Sequence, residues 1–192
     1  MERHGYKKMT IDDIAHEVGI GKATIYGYFE RKQDVALAVI DGYHAKVQTR
    51  WRVIVDQGKD PETTLREMLV TRVMMAFDNA SRYRQSLDDS LAALRALVLS
   101  RRGRYNVEDM EIVESVLREG TRCGVFDVRE TKETAAAIMT CTSGLMPYSL
   151  SSKEMTQREE VERMTHQVVS LILEGLHPRP FSAGPDSKDA RN

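Results

Sequence analysis

Apolar residues recur every three or four positions along most of this chain, which is the spacing of an amphipathic α-helix. The longest such stripe lies between positions 33 and 57, where valine, isoleucine, tyrosine and tryptophan side chains share one face. Shorter stripes follow as far as position 177, separated by glycine, proline or short polar segments. No segment alternates convincingly between apolar and polar residues, and no repeat is evident. We therefore predict an all-α protein.

The breaks in this pattern divide the chain into a head, a connecting helix, a body and a tail. The predicted boundaries are 1–34, 35–57, 58–177 and 178–192. The body should contain about five helices, with one break at residues 101–103 and a new helix capped by Asn106. Its last helix should begin at a capping box formed by Thr156 and Glu159. The tail has too little apolar content to pack, so we expect it to be disordered.

The head contains two short apolar stripes joined by a glycine turn. Thr10 stands at a helix N-cap position and is followed by two aspartates in the first turn, where carboxylates favour a helix start. Gly19 and Gly21 end this helix and turn the chain. A second amphipathic helix follows from Lys22. Helix, turn and short second helix form the plan of a DNA-binding motif, a helix-turn-helix head, whose second helix enters the major groove.

The run from Ile11 to Ile40 resembles the DNA-binding signature of the TetR family of bacterial transcriptional regulators. Its matching elements are Ile14-Ala15, the Gly19 turn, Tyr26-Gly27-Tyr28-Phe29 and Lys32, which opens the next helix. Two positions depart from the family pattern, because Gly21 stands where a serine is common and Gly27 where a larger residue is usual. A glycine inside a helix costs roughly 0.5–1 kcal/mol. We therefore expect the second helix to be weak until DNA is bound.

The resemblance implies a set of DNA contacts on the head. The resemblance places Thr24, with Ala23 and Lys22, near base edges. It places four further residues on phosphates: Thr10, Tyr26, Tyr28 and Lys32. The positions of Thr10 and Lys32 at helix N-termini agree, because free backbone N–H groups there favour an anion. The alternative for Tyr26 and Tyr28 is that they only pack the head.

The head is expected to be short of cover for its apolar side chains. Members of the family carry a further helix before this motif, whereas nine residues precede Thr10 here. Isolated helices shorter than about 12–15 residues are marginal in water. We therefore expect either a true start upstream of this one or a head that folds fully only on DNA. In both cases Ile14, Val18, Ile25 and Phe29 should be partly uncovered.

The body is expected to bind a small-molecule effector, apolar or amphipathic, because members of the TetR family usually hold one there. Methionines are spread over four of the predicted helices, and flexible thioether side chains suit an adaptable apolar pocket. The candidate ligand contacts are Met68, Arg72, Met75, Met110, Met139 and Tyr148, with His44 as a further polar group. A plain hydrophobic core explains any single methionine equally well.

The last two helices are the candidate dimer interface, because in the family these helices pair with their copies. The candidate interface residues are Ala135, Met139, Thr142, Val161, Met164, Val168 and Leu171. From the sequence alone these side chains could equally form an intramolecular core. A small head reads few base pairs, which favours a homodimer on a two-fold operator in double-stranded DNA.

Composition agrees with a soluble, cytoplasmic protein. The 192 residues are 41% hydrophobic with a net charge of −1, and no apolar run is long enough for a membrane span or reads as a signal peptide. Within the first 34 residues six cations balance six acids, so charge alone does not indicate DNA binding. We expect neither a cofactor nor a membrane partner.

Nothing in the sequence points to catalysis. Cys123 and Cys141 have no zinc spacing, and no histidine pair, glycine-rich phosphate loop or nucleophile elbow is present. We therefore predict an effector-responsive repressor rather than an enzyme, with no metal site. The alternative is a helical ligand-binding or interaction protein whose head no longer binds DNA.

Overall fold

The computed structural model describes residues 10–81, 87–151 and 153–178, with side chains from residue 95 onwards in the second range. All regular structure in these ranges is helical, which confirms the predicted all-α fold. The helices are α1 (Ile11–Val18), α2 (Lys22–Tyr28), α3 (Lys32–Asp56), α4 (Pro61–Ser81), α5 (Leu87–Arg122), α6 (Thr131–Ser143), the short 3-10 helix Glu154–Thr156, and α7 (Arg158–Leu176). The residues preceding Thr10 and the tail beyond Pro178 lie outside the described residues. In the ranges above, no helix combines the length and the apolar character that crossing a membrane requires.

The head is built on α1, α2 and the start of α3. The Thr10 hydroxyl accepts the Asp13 backbone N–H at 3.1 Å, and the Asp13 carboxylate accepts the Thr10 N–H at 2.8 Å, so α1 begins at a full capping box. Gly19 ends α1 at φ 69°, in the left-handed region that glycine adopts without strain. The two helices are thereby joined by the tight turn that the sequence predicts.

The four apolar side chains of the head that were predicted to be partly uncovered are buried to different extents. Ile25 is buried, because it packs with Ile11 and Ala15 between the two short helices. Ile14 and Phe29 are half-buried at the edge of this core. Val18 is 58% exposed. The prediction of poor cover is therefore confirmed for Val18 and wrong for Ile25.

The connecting helix α3 runs from the head into the body without a break. Trp51 is 0% exposed, and its indole N–H donates to the backbone carbonyl of Met68 on α4 at 2.7 Å. Val47 and Ile54 are buried on the same face, one turn before and after the tryptophan. This end of α3 is therefore part of the main hydrophobic core, whereas the opposite end carries the head.

The predicted break in the body is wrong, because α5 continues through residues 101–103 to Arg122. Asn106 lies inside this helix rather than at its start. Tyr105 and Asp109, on the turns that follow Gly103, are buried. Their packing outweighs the small helix penalty of one glycine, so tertiary contacts override the local signal.

The predicted capping box at Thr156 is also wrong. The Thr156 hydroxyl donates to the Lys153 carbonyl at 2.7 Å and caps nothing. The same residue pattern occurs five positions earlier, where the Glu154 carboxylate accepts the Ser151 N–H at 2.7 Å and the Ser151 hydroxyl accepts the Glu154 N–H at 3.3 Å. That box starts the 3-10 helix, and α7 begins after it with Gln157 as an N-cap whose side chain makes no capping bond.

Gly120 on α5 provides a test of the packing of the body. A Cβ atom added there would lie 2.1 Å from Cδ2 of Phe126, whose ring is buried at 2% exposure. We predict that Gly120→Ala lowers the free energy of unfolding by about 1–3 kcal/mol, measured by denaturant titration. Gly103→Ala in the same helix is the control, since no atom of the described residues lies within 4 Å of its Cβ position. That variant should gain about 0.5–1 kcal/mol, and equal effects at both sites would contradict the packing described.

Candidate DNA-binding surface and ligand cavity

The structure places the predicted DNA contacts together on the outer surface of the head. Tyr28 is 80% exposed and Tyr26 is 49% exposed. The exposed group also contains Thr10, Lys22, Ala23 and Thr24, whereas Lys32 is half-buried. A side chain as open as Tyr28 contributes little to packing, so its exposure argues against the alternative that it only packs the head.

Lys22 is held by a carboxylate on the preceding helix. Its Nζ lies 2.7 Å from Oδ1 of Asp12 and 6.0 Å from the centroid of the Tyr26 ring. The hydrogen bond that Lys22 donates to the Asp12 carboxylate raises the pKa of Lys22 above its usual value. Both partners are exposed, so the pair adds little stability. The ammonium has three N–H donors, so Lys22 can still donate to a DNA oxygen, but the Asp12 carboxylate beside it repels a phosphate.

The helix N-termini that should attract phosphate already hold carboxylates. The Asp13 carboxylate accepts both the N–H and the hydroxyl of Thr10, each at 2.8 Å. At the start of α3, the Asp34 carboxylate accepts the Arg31 N–H at 2.8 Å. A phosphate at either position must compete with these anions. The N–H groups at these two helix starts therefore favour a phosphate less than the sequence suggests, and α2 is the better-supported contact surface.

The body contains a cavity of about 210 Å³ between α3, α4, α5 and the segment after α6. Its wall is largely apolar. Lining residues from the connecting helix are Ala36, Val39, Ile40, Tyr43, His44 and Val47. Lining residues from elsewhere include Arg72, Ala76, Val98, Tyr105, Asp109, Met146, Pro147 and Tyr148. The helix that carries the head therefore supplies one side of the cavity.

The cavity contains two of the six predicted ligand contacts, Arg72 and Tyr148, together with His44. The four methionines do not line it. Met68 and Met139 are buried in the main core at 0% and 1% exposure. Met75 and Met110 are partly buried against that core. The plain-core alternative therefore describes these methionines better than the ligand-contact prediction. A methionine in the sequence does not indicate whether its thioether will lie in the core or line a cavity.

Arg72 is the most deeply buried cation near the cavity, at 5% exposure. Its Nη1 donates to the Thr142 hydroxyl at 2.7 Å. Burial lowers the pKa of Arg72, although a guanidinium remains charged in a protein. Nε of Arg72 lies 4.0 Å from Oδ2 of Asp109, which is a loose ion pair.

Asp109 is the functional candidate that the sequence analysis missed. It is 3% exposed, and its Oδ1 lies 2.8 Å from Nε2 of His44 and 3.3 Å from Nε2 of Gln48. The ring of His44 also stacks on Tyr105 with centroids 4.1 Å apart. One signal was available in the sequence, because His44 and Gln48 interrupt the apolar stripe of α3 one helical turn apart.

The predicted dimer interface divides into two groups. Four of its members are buried at 0–4% exposure inside the protomer itself: Ala135, Met139, Thr142 and Val161. They face neighbouring helices, since α6 packs on α5 and α7 packs on α4. Met164 and Leu171 are 39% and 68% exposed, and Val168 is half-buried. Only these three, on one face of α7, have surface to offer a second copy.

Known proteins resemble both the head and the whole chain. Residues 1–39 match the model of the family described as bacterial regulatory proteins, tetR family. The transcriptional repressor KstR2 of Rhodococcus jostii is 27% identical over 177 residues, covering 90% of this chain and 83% of the relative.

Solved structures share the fold. A TetR-family transcriptional regulator from Pectobacterium atrosepticum superposes with a TM-score of 0.76 at 18% identity, covering 93% of this chain and 89% of the other. The transcriptional regulator FadR of Bacillus subtilis, solved in complex with stearoyl-CoA, superposes with a TM-score of 0.59 at 17% identity, covering 92% and 93%.

These similarities extend from the head through α3 to the end of the body. The family model covers the two helices on which the exposed residues Thr24, Tyr26 and Tyr28 lie. The relative from Rhodococcus jostii is a transcriptional repressor similar over most of this chain, and the Pectobacterium atrosepticum regulator shares its helical fold. The chain therefore carries the DNA-binding head of the TetR family and resembles transcriptional regulators of that family over nearly its whole length.

Proposed function

We propose that this protein is a repressor that binds a palindromic operator as a homodimer and releases it when a small molecule enters the cavity. The observation that carries this proposal is the double role of α3. Its first turn follows the head directly, and residues 36–47 contribute six side chains to the cavity wall. A molecule in the cavity therefore touches the helix on which the head is mounted.

The attachment of α3 makes its two ends respond differently. Trp51 is buried and hydrogen-bonded in the main core, which fixes the far end. Tyr43 borders empty volume nearer the head. Ligand entry would shift α3 between two arrangements and change the spacing of the two heads, as a population shift. Similarity supports this reading, because the relative from Rhodococcus jostii is a repressor and the Bacillus subtilis structure holds an amphipathic ligand.

The homodimer would form through the outer face of α7. Met164, Val168 and Leu171 follow one another at steps of four and three residues, so they form one apolar stripe. An exposed apolar stripe of this kind is typical of an interaction surface. Two heads would then present their α2 helices to successive turns of the major groove.

The alternative is a ligand-binding protein whose head no longer binds DNA. The observation that favours it is the carboxylate already present at the starts of α1 and α3. Selection of bound sequences from a random duplex library separates the two functions. The repressor should enrich an inverted repeat at physiological salt. Recovery of no sequence preference would support the alternative.

Asp12 should limit DNA affinity by holding Lys22. We predict that Asp12→Asn strengthens binding to all sequences about two- to fivefold, as expected for removal of an exposed ion pair. Lys22→Ala should weaken binding and flatten the dependence of log K on log salt by about one unit. In the double variant the gain from Asp12→Asn should vanish.

The matched control for this pair is Glu17→Gln, which removes the same charge from α1 at another exposed position. Its effect should be smaller than that of Asp12→Asn and should persist when Lys22 is replaced. Equal gains from the two acid-to-amide changes would show that only net charge matters, and that the Asp12–Lys22 pair does not restrain binding.

Leu171→Glu should separate the dimer without unfolding the protomer. The side chain is 68% exposed in the protomer, so a carboxylate is tolerated there, but it would be desolvated in an apolar interface. We predict a monomer by sedimentation at micromolar concentration and loss of operator binding. Val53→Glu, at a 44% exposed position on α3, is the control and should remain dimeric. A dimeric Leu171→Glu variant would place the interface elsewhere.

A further inference from the structure

The inner end of the cavity holds hydrogen-bond donors that find no acceptor among the described residues. The hydroxyls of Tyr43 and Tyr148 are buried and donate to no acceptor in the part of the chain that the structure describes, although the Arg72 guanidinium lies beside the Tyr148 oxygen. Both side chains line the cavity. Burial raises the pKa of Tyr43, so its hydroxyl stays protonated and can donate. Buried polar groups are normally satisfied, so two unsatisfied hydroxyls on one cavity indicate a ligand atom as their partner.

The charge balance of this inner end decides which atom fits. Arg72 and Asp109 are both nearly fully buried, and they supply one positive and one negative charge 4.0 Å apart. A second buried anion would leave net negative charge in a region of low dielectric, which is strongly unfavourable. The matching group at this end is therefore a neutral oxygen, a carbonyl or a hydroxyl, that accepts from Tyr43 and Tyr148.

The mouth of the cavity has the opposite character, because it is basic. Arg95 and Arg102 on α5 both line the cavity and are both exposed, so they lie where it meets solvent. They are seven residues apart and share a helix face. Neither forms an ion pair within the described residues, unlike Arg104 nearby, which bonds to Asp41 at 2.6 Å. The carboxylate among the lining residues belongs to Asp109, which lies at the buried end of the cavity rather than at its mouth.

We propose that the effector is an elongated apolar acid whose negative group lies at Arg95 and Arg102 and whose far end carries a neutral oxygen bonded to Tyr43 and Tyr148. This ligand assignment rests on the proposed function, because it concerns the same cavity. An apolar cavity of about 150 Å³ holds benzene, so the volume of about 210 Å³ here suits a medium-length chain or a body slightly larger than one ring.

Calorimetric titration of the full chain with matched probes tests both ends. The probes are decanoate, decanol, decylamine and the keto acid made from decanoate by placing a ketone on the carbon next to its methyl end. We expect decanoate to bind about fivefold more tightly than decanol, and decylamine to bind weakest. The keto acid should bind about three- to tenfold more tightly than decanoate. A purely apolar cavity would bind the keto acid more weakly than decanoate, because the ketone is more water-soluble.

Variants assign each preference to its residues. The double variant Arg95→Gln/Arg102→Gln should abolish the preference for decanoate over decanol, whereas Arg50→Gln, at an exposed position outside the cavity, should keep it. Tyr148→Phe should abolish the preference for the keto acid. A Tm measurement checks that this variant still folds, since the lost hydroxyl lies beside the buried Arg72 guanidinium.

Three results would overturn the proposal: equal binding of decanoate and decanol, weaker binding of the keto acid than of decanoate, or no binding of any probe. None of them depends on DNA, because the titrations use the free protein. A chain that enriched no operator but showed the expected probe order would contradict the repressor function and leave the ligand assignment standing. An operator-binding chain with the wrong probe order would do the reverse.

Discussion

The carboxylate of Asp109 is the constraint on which the joint between the connecting helix and the body depends. It is 3% exposed, and a charge so deeply buried is tolerated only when partners surround it. His44 and Gln48 of α3 lie 2.8 and 3.3 Å from it, and Arg72 of α4 supplies the opposite charge at 4.0 Å. Three helices are thereby held in one arrangement. Because His44, Arg72 and Asp109 also line the cavity, a ligand meets the groups that set this arrangement.

The connecting helix is held firmly in the body at Trp51 and is less constrained at Tyr43. Trp51 is enclosed by core residues and bonded to Met68, so movement there would open the main core. Tyr43, about two turns nearer the head, borders empty volume, and its hydroxyl has no hydrogen-bond partner in the ranges that the structure describes. A small displacement of α3 at Tyr43 is amplified at the head, because the head lies beyond Tyr43 on the same helix. This geometry gives the cavity influence over DNA binding without direct contact between the two sites.

The sequence predicted the head well, because N-cap side chains and a left-handed glycine act locally and leave a signature within a few residues. It failed at Gly103, where the burial of Tyr105 and Asp109 against distant residues keeps α5 continuous. Arg72 and Tyr148 were predicted as ligand contacts because they are polar groups in a largely apolar body, and both line the cavity. Methionines gave no such contrast. Burial of α6 inside the protomer depends on how the helices pack, which periodicity does not determine.

Hydrogen exchange of the full chain with and without saturating decanoate tests most directly whether the cavity controls the head through α3. If the cavity controls the head in this way, exchange should change in residues 32–44 of α3 and in α1 and α2, with residues 51–56 unchanged because Trp51 anchors them. Changes confined to α4, α5 and α6, or spread evenly along α3, would contradict it.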